Sequence, residues 1–232
     1  MSSQAILPDT SLCTIVRDEM QNPAGGIRRF IDSHVPYVEE AVVVDTGSID
    51  GTREVLEELQ YKYPNLRIFD RKFKGYADAR NHSLKHVDTK YALILDADEL
   101  LTHKKPQNDF QILGDFMGRC KAGSYYFMFH NLFFPGDVGI LIPYHGSRLF
   151  DFSKRRKYEN EVWETLEDNK DEVNVEGIKI KHFLPPSEGI ALKGSNWYSS
   201  FDCLGVLSSR SPSQTDGFQQ WKAYNPRRDD FE

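Results

Sequence analysis

Cysteine is scarce: Cys13, Cys120 and Cys203 are the only three in 232 residues. They are odd in number and far apart, with no Cys-x-x-Cys pair, which argues against a disulfide framework or a structural zinc site and for reduced thiols. Long apolar runs are missing too. No stretch approaches the roughly 20 residues of a membrane span, and the N-terminus lacks a basic segment followed by an apolar one. The expectation is a cytoplasmic protein without integral membrane association. Positive charge is not in excess, with 29 Lys and Arg against 35 Asp and Glu for a net charge of -6, so coating a polyanion is not its main business. Neither a Walker lysine motif nor Gly-x-Gly-x-x-Gly occurs, so the usual phosphate-cradling loops are absent. Phosphate charge would have to be met by a metal and by scattered basic side chains.

What the chain does carry is a repeated alternation. Leu12 to Val16, Ala41 to Val44, Leu66 to Phe69 and Lys90 to Leu95 are apolar runs of strand length. Runs this continuous belong to strands buried on both faces. Between them apolar residues recur at helical spacing: Ile27, Phe30 and Ile31, then Val55, Leu56 and Leu59 behind a capping Asp50, then Ala77, Leu84 and Val87. Strand and helix in alternation predict an α/β fold, a Rossmann-like, mostly parallel central sheet with helices on both faces. The polar clusters then share one edge: Asp18 and Glu19, Asp45, and Asp96 with Asp98. Open α/β sheets bind ligands at that edge.

The fourth run stops on Asp96-Ala97-Asp98-Glu99. Two carboxylates flanking a small residue can turn toward one point, and hard oxygen donors suit Mg²⁺ or Mn²⁺ held jointly with substrate phosphates. The bland alternative is a solvated acidic loop. Gly47 and Gly51 bracket a turn that lets the backbone approach a ligand, or simply joins strand to helix. Arg80 is an odd choice for a packing helix; its fork can hold a base or a phosphate, or can pair with Asp78 or a loop carboxylate.

Taken together, Thr14-Ile15-Val16-Arg17-Asp18-Glu19, Val43 to Thr52, Gly75 to Asn81 and Leu93 to Glu99 resemble, in order and spacing, the nucleotide-sugar domain of family 2 glycosyltransferases, the GT-A fold. The resemblance covers about residues 10 to 102. More loosely, Ser147 to Phe150, Glu161 to Leu166 and Ile178 to His182 are similar to the second half of non-processive lipopolysaccharide-core glycosyltransferases. Those relatives often carry Val-His-Glu where this chain has Val162-Trp163-Glu164, so no role for that histidine transfers. The resemblance implies a nucleoside site lined by Thr14 to Glu19, including Val16 and Arg17, and by Gly47. It implies that Asp45 contacts the uracil or ribose, that Arg80 holds the base or diphosphate, that Asp96 and Ala97 sit near the ribose, and that Asp98, with Asp96, ligates Mn²⁺ or Mg²⁺. The activity implied is transfer of one sugar from a nucleotide-diphosphate sugar, UDP favoured, to an acceptor hydroxyl, inverting by single displacement. The proton then goes to a carboxylate base. Glu164, beside the aromatic Trp163, is the first candidate and Glu161 the second, although the acidic run from Glu159 to Asp168 also suits a solvated face. His182 is a candidate further metal or phosphate ligand, or a structural histidine.

This reading divides the chain into a nucleotide-sugar-binding half, 1–102, an acceptor-binding half, 103–184, and an irregular tail or lid, 185–232. The acceptor half carries a predicted helix over 104–120 and an aromatic-rich hairpin over Ser124 to Phe150, whose rings are expected mostly in the core. Lys154 to Lys157 is the one basic cluster, open to three readings: diphosphate contact, anionic-acceptor contact or solvated turn. In the tail, Gln219-Gln220-Trp221 is similar to the Gln-x-x-Arg-Trp of processive synthases but lacks its arginine, which favours one sugar per encounter. The acceptor class stays open among a glycan, a lipid-linked sugar, a protein and a modified nucleic-acid base. A non-catalytic nucleotide-sugar-binding module is the alternative from another class. A phosphatase with Asp96 as nucleophile fits less well, because its Asp-x-Asp belongs near the N-terminus.

Overall fold

The computed structural model describes residues 6–101, 106–133, 139–160, 165–166 and 171–184. Its first part is the expected alternation: β1 (Leu7–Val16), α1 (Gly26–His34), β2 (Val38–Asp45), α2 (Thr52–Lys62), β3 (Leu66–Asp70), α3 (Tyr76–Leu84) and β4 (Tyr91–Ile94). There follow β5 (Glu99–Leu100), α4 (Pro106–Arg119), β6 (Ser124–Phe133), β7 (Gly139–Asp151), β8 (Tyr158–Glu159), β9 (Thr165–Leu166) and β10 (Glu172–Leu184). One eight-stranded sheet runs β3-β2-β1-β4-β7-β6-β10-β5. The strands from β3 to β4 are parallel; β7 enters antiparallel between β4 and β6, and β10 returns parallel to β6.

Burial on both sides explains the continuous apolar runs of β1, β2 and β4, whereas β3, at the sheet edge, is mostly half-buried. Tyr91 and Leu93 of β4, with Leu95 just after it, point into a core shared with Ile27, Phe30, Leu56, Phe110 and Leu113, whereas Ala92 and Ile94 face Ala77, Leu84, Val87 and Phe150. Helices therefore cover both faces, α1, α2 and α4 on one and α3 on the other. In β6, Tyr125, Phe127 and Phe129 are buried while Tyr126 and Met128 are half-buried, so the aromatic segment is core, as its alternation predicts.

Two local details differ from the sequence reading, and a third decides among its alternatives. Helix α3 ends at Leu84, and Val87 reaches the core from a turn closed by its N–H on Leu84 O at 3.3 Å. The residue capping α2 is Gly51 at φ 100°, and Asp50, one position earlier, accepts the Thr52 N–H at 3.0 Å. The basic cluster does not meet the ligand edge: Arg155 Nη1 donates to Val87 O and the buried Arg156 donates to Ser124 Oγ, at the edge where β4 and β6 begin. Cys13 and Cys120 are free thiols. Among the described residues no helix is long and apolar enough to cross a membrane. Glu161, Trp163, Glu164, Cys203 and the tail over 185–232 lie outside the described residues.

Candidate active site at the strand ends

The C-terminal ends of β2, β1 and β4 lie side by side, so the loops that follow them form one rim. The first two loops are laced together residue by residue. Thr46 donates both its N–H and its hydroxyl to Val16 O at 3.0 Å. Asp18 takes φ 57°, left-handed for a non-glycine, and is held there from both sides: its N–H donates to Ser48 Oγ and its carboxylate accepts the Ile49 N–H. Glu19 N–H donates to Thr52 Oγ1 at 2.8 Å and Met20 N–H to Asp50 Oδ2 at 3.0 Å. Arg17 projects from this clasp with a side chain 58% exposed, and Val16 is in the core.

Asp45 ends β2 and is 2% exposed. Its Oδ1 accepts the N–H groups of Gly47 and Ser48 at 2.7 and 2.8 Å, an Asx turn for which Gly47 supplies φ 109°. Oδ2 of Asp45 and the hydroxyl of Thr14 are buried without a hydrogen-bond partner. An unmade bond of this kind costs about 1–3 kcal/mol, which a water or a bound ligand at the rim would offset.

The third loop carries the acidic motif. Asp96 is gripped by two guanidinium groups: Arg80 Nη2 donates to Oδ1 at 2.8 Å and Arg148 Nη2 lies 3.5 Å from Oδ2. Burial works against ionisation there, but the two cations hold the Asp96 carboxyl below the usual range. Arg80 is itself buried and faces the Tyr158 ring at 5.8 Å, and Asp78 pairs with Arg71 instead. The visible role of Arg80 is thus to fix Asp96. Ala97 is buried, and its carbonyl accepts Asn22 Nδ2 at 3.0 Å; the same nitrogen donates to Glu19 Oε2. Asn22 thereby ties the first loop to the acidic one.

Asp98 faces β10. Its carbonyl accepts the Phe183 N–H, and its Oδ2 lies 3.9 Å from His182 Nε2. His182 Nδ1 lies 3.1 Å from Asn131 Oδ1, a contact that orients the ring with Nε2 toward Asp98. One carboxylate and one imidazole, each side chain about one-tenth exposed, form a fitting half-shell for Mn²⁺ or Mg²⁺, which take further ligands from phosphates and water. Among the described residues no three His, Cys, Asp or Glu side chains converge on one point as a closed metal cage. Asp96, committed to Arg80 and Arg148, lies beside this pair.

Glu99, Arg148 and Asn22 are residues to which the sequence reading assigned no role. An arginine leading into the apolar Leu149-Phe150 of β7 is the signal that would have found Arg148, since a charge there needs a buried acid.

Comparison with known proteins completes the picture. The family model described as Glycosyl transferase family 2 matches residues 11–108. Among curated proteins, the cholesterol galactosyltransferase of Borreliella burgdorferi is 31% identical over 61 residues, 26% of this chain and 17% of that protein. The poly-beta-1,6-N-acetyl-D-glucosamine synthase of Staphylococcus epidermidis is 28% identical over 90 residues, 37% of this chain and 20% of that protein. The match thus spans a fifth or less of those relatives. Among solved structures, S. aureus TarS 1-349 in complex with UDP-GlcNAc superposes with a TM-score of 0.59 at 13% identity, covering 90% of this chain and 69% of that one. The Pyrobaculum calidifontis mannosyltransferase PcManGT, in complex with GDP-Man and Mn2+, gives 0.56 at 14% identity, covering 96% and 72%. Those likenesses establish the GT-A architecture. The matched segment runs from β1 through the acidic motif to the start of α4, and over that segment the chain is similar to glycosyltransferase family 2.

Proposed function

We propose that this chain transfers a single sugar from a nucleotide-diphosphate sugar, UDP favoured, to an acceptor hydroxyl with inversion. The observation that carries the reading is the rim itself: a buried unpartnered acceptor at Asp45 and an Asp98 and His182 pair, on neighbouring loops of a family 2-like domain. Structural neighbours in complex with UDP-GlcNAc, and with GDP-Man and Mn2+, support a nucleotide-sugar donor and a divalent ion.

In this proposal Asp45 Oδ2 accepts a hydrogen bond from the base imide or a ribose hydroxyl, within a nucleoside site lined by Thr14, Val16, Arg17, Glu19 and Gly47. Arg80 keeps Asp96 ionised and aimed at the ribose side, next to Ala97. Asp98 and His182 would hold Mn²⁺ or Mg²⁺, which when bound neutralises charge developing on the diphosphate leaving group. The acceptor hydroxyl loses its proton to a carboxylate, proposed as Glu164 with Glu161 second, and attacks the anomeric carbon from the face opposite the leaving diphosphate. The halves 1–102 and 103–184 are proposed as the donor and acceptor sides, and the cytoplasm, where nucleotide sugars are made, as the setting. The acceptor is proposed only as a hydroxyl-bearing glycan, lipid-linked sugar, protein or nucleic-acid base. A phosphatase is disfavoured by the grip of Arg80 and Arg148 on Asp96, which withholds both of its oxygens from nucleophilic attack.

The test is a thermal-shift panel of UDP-, dTDP-, GDP- and ADP-sugars, with and without Mn²⁺, on the wild type and Asp98→Ala. A donor at about 100 times its Kd raises the melting temperature by about 5–10 °C. The expected result is that one nucleotide class does so, only with metal and only when Asp98 is present. No shift with any of them at millimolar concentration overturns the proposal.

A further inference from the structure

Glu99 sits at the centre of the acidic motif and is 1% exposed. It closes the turn that presents Asp96 and Asp98 in two ways. Its backbone N–H donates to Asp96 O at 2.9 Å, and its side-chain Oε2 accepts the Asp96 N–H at 3.0 Å. The other oxygen, Oε1, accepts Arg148 Nη2 at 2.5 Å, and that same nitrogen lies 3.5 Å from Asp96 Oδ2. Arg148 also faces the Phe129 ring at 5.3 Å, so its guanidinium plane is held between an aromatic wall and two carboxylates. In the strand register Glu99 lies directly opposite His182, which faces Asp98. One buried side chain thus touches or abuts every other element of the motif.

Such an arrangement is a poor way to gain stability. Burying a carboxylate and a guanidinium removes both from water, and a well-packed apolar pair of similar volume would serve the fold as well or better. What the ion pair supplies is geometry. With its turn bonded from both ends and its first carboxylate bracketed by Arg80 and Arg148, the motif is shaped before any ligand arrives.

We propose that Glu99 and Arg148 are a positioning pair for the donor site, fixing the Asp96 and Asp98 carboxylates in the arrangement that receives a metal-bound nucleoside diphosphate. This inference rests on the donor reading above and extends it to residues that touch neither donor nor metal.

Three variants test it: Glu99→Gln, Arg148→Lys and the double variant Glu99→Gln with Arg148→Met. Glutamine keeps an acceptor for the Asp96 N–H but no charge for Arg148; lysine keeps the charge but replaces the planar guanidinium that lies against the Phe129 ring by a compact, rotatable ammonium. Each protein is assayed for melting temperature and, by isothermal titration, for affinity toward UDP and GDP with Mn²⁺. Both single variants are expected to bind about tenfold or more weakly, as for loss of an outer-shell partner of a metal site. Removing both charges together relieves the unpaired partner, so the double variant should recover melting temperature while its affinity stays down about tenfold. If affinity recovers along with melting temperature, or if both single variants bind as the wild type does, the pair is structural and the inference is overturned. If the wild type itself binds neither nucleotide with Mn²⁺, the donor reading fails and this inference falls with it.

Discussion

Strand β2 carries carboxylates toward both ends, and the fold treats Glu40 and Asp45 differently. Glu40, toward its start, is saturated: Oε1 accepts from Ser11 Oγ and from the Asp88 N–H, and Oε2 accepts from Arg67 Nη1 at 2.8 Å. Ser11 is backed in turn by Thr89, and Arg67 also donates to His86 O and Asp88. Asp45, at its end, spends Oδ1 on two backbone N–H groups and keeps Oδ2 buried without a partner. The acids are five residues apart on one strand, yet one completes a network and the other leaves it open. A closed network serves folding, whereas an open acceptor on the edge where α/β sheets take their ligands suits binding, the role proposed for Asp45.

The largest effect that could break this contrast is at the closed end. Glu40→Ala strips the Ser11 hydroxyl and the Asp88 N–H of their acceptor, and should cost about 2–3 kcal/mol, or about 5–10 °C in melting temperature. Arg67, a third exposed and still paired with Asp88, adds little to that. Nucleotide affinity measured well below the melting point should stay within about twofold of wild type; a joint loss of affinity and stability would show the two ends are not separate.

Next in size is a buried histidine saturated on both nitrogens. His34 donates from Nδ1 to Phe30 O at 2.7 Å and accepts the Leu101 N–H on Nε2 at 3.2 Å, locking α1 to the segment after β5. Burial lowers its pKa from 6.5 to about 4, against the pull of the Phe30 carbonyl. The unfolded chain therefore takes up a proton that the fold refuses between those values, and stability falls as pH drops. Between pH 7.5 and pH 5 the loss from this group is about 2 kcal/mol. Urea denaturation across that range should show it, and His34→Gln, less stable at neutral pH, should flatten it; an unchanged pH profile in the variant would refute the assignment. The smallest effect expected is for Ser48→Ala, which frees the Asp18 N–H at the loop clasp. It should cost about 1 kcal/mol or less in stability and weaken nucleotide binding a few-fold, read by the same titration and melts.

How far the sequence could be read followed the range of the interactions. Three of the four apolar runs are legible because both faces of β1, β2 and β4 are buried, and the turn bracketed by Gly47 and Gly51 is legible because the N–H groups that Asp45 accepts lie only two and three residues on. Arg148 meets Glu99 across 49 positions of sequence and Asn22 meets Ala97 across 75. No local pattern announces such pairs. The basic cluster at Lys154 to Lys157 shows the same limit from the other side: composition suggested a phosphate contact among its readings, whereas Arg155 and Arg156 are used at the far edge of the sheet. The place of β10 between β6 and β5 is likewise a non-local choice.

The central claim is that the open acceptor at Asp45 is there for a nucleotide. Asp45→Asn tests it most directly, because asparagine retains an oxygen for the Gly47 and Ser48 N–H groups and replaces the open acceptor by a donor. Titration of UDP with Mn²⁺ should show affinity reduced about 30-fold or more, with the melting temperature of the ligand-free protein within about 2 °C of wild type. Unchanged affinity, or a loss of affinity that merely tracks a fall in melting temperature, would contradict the account.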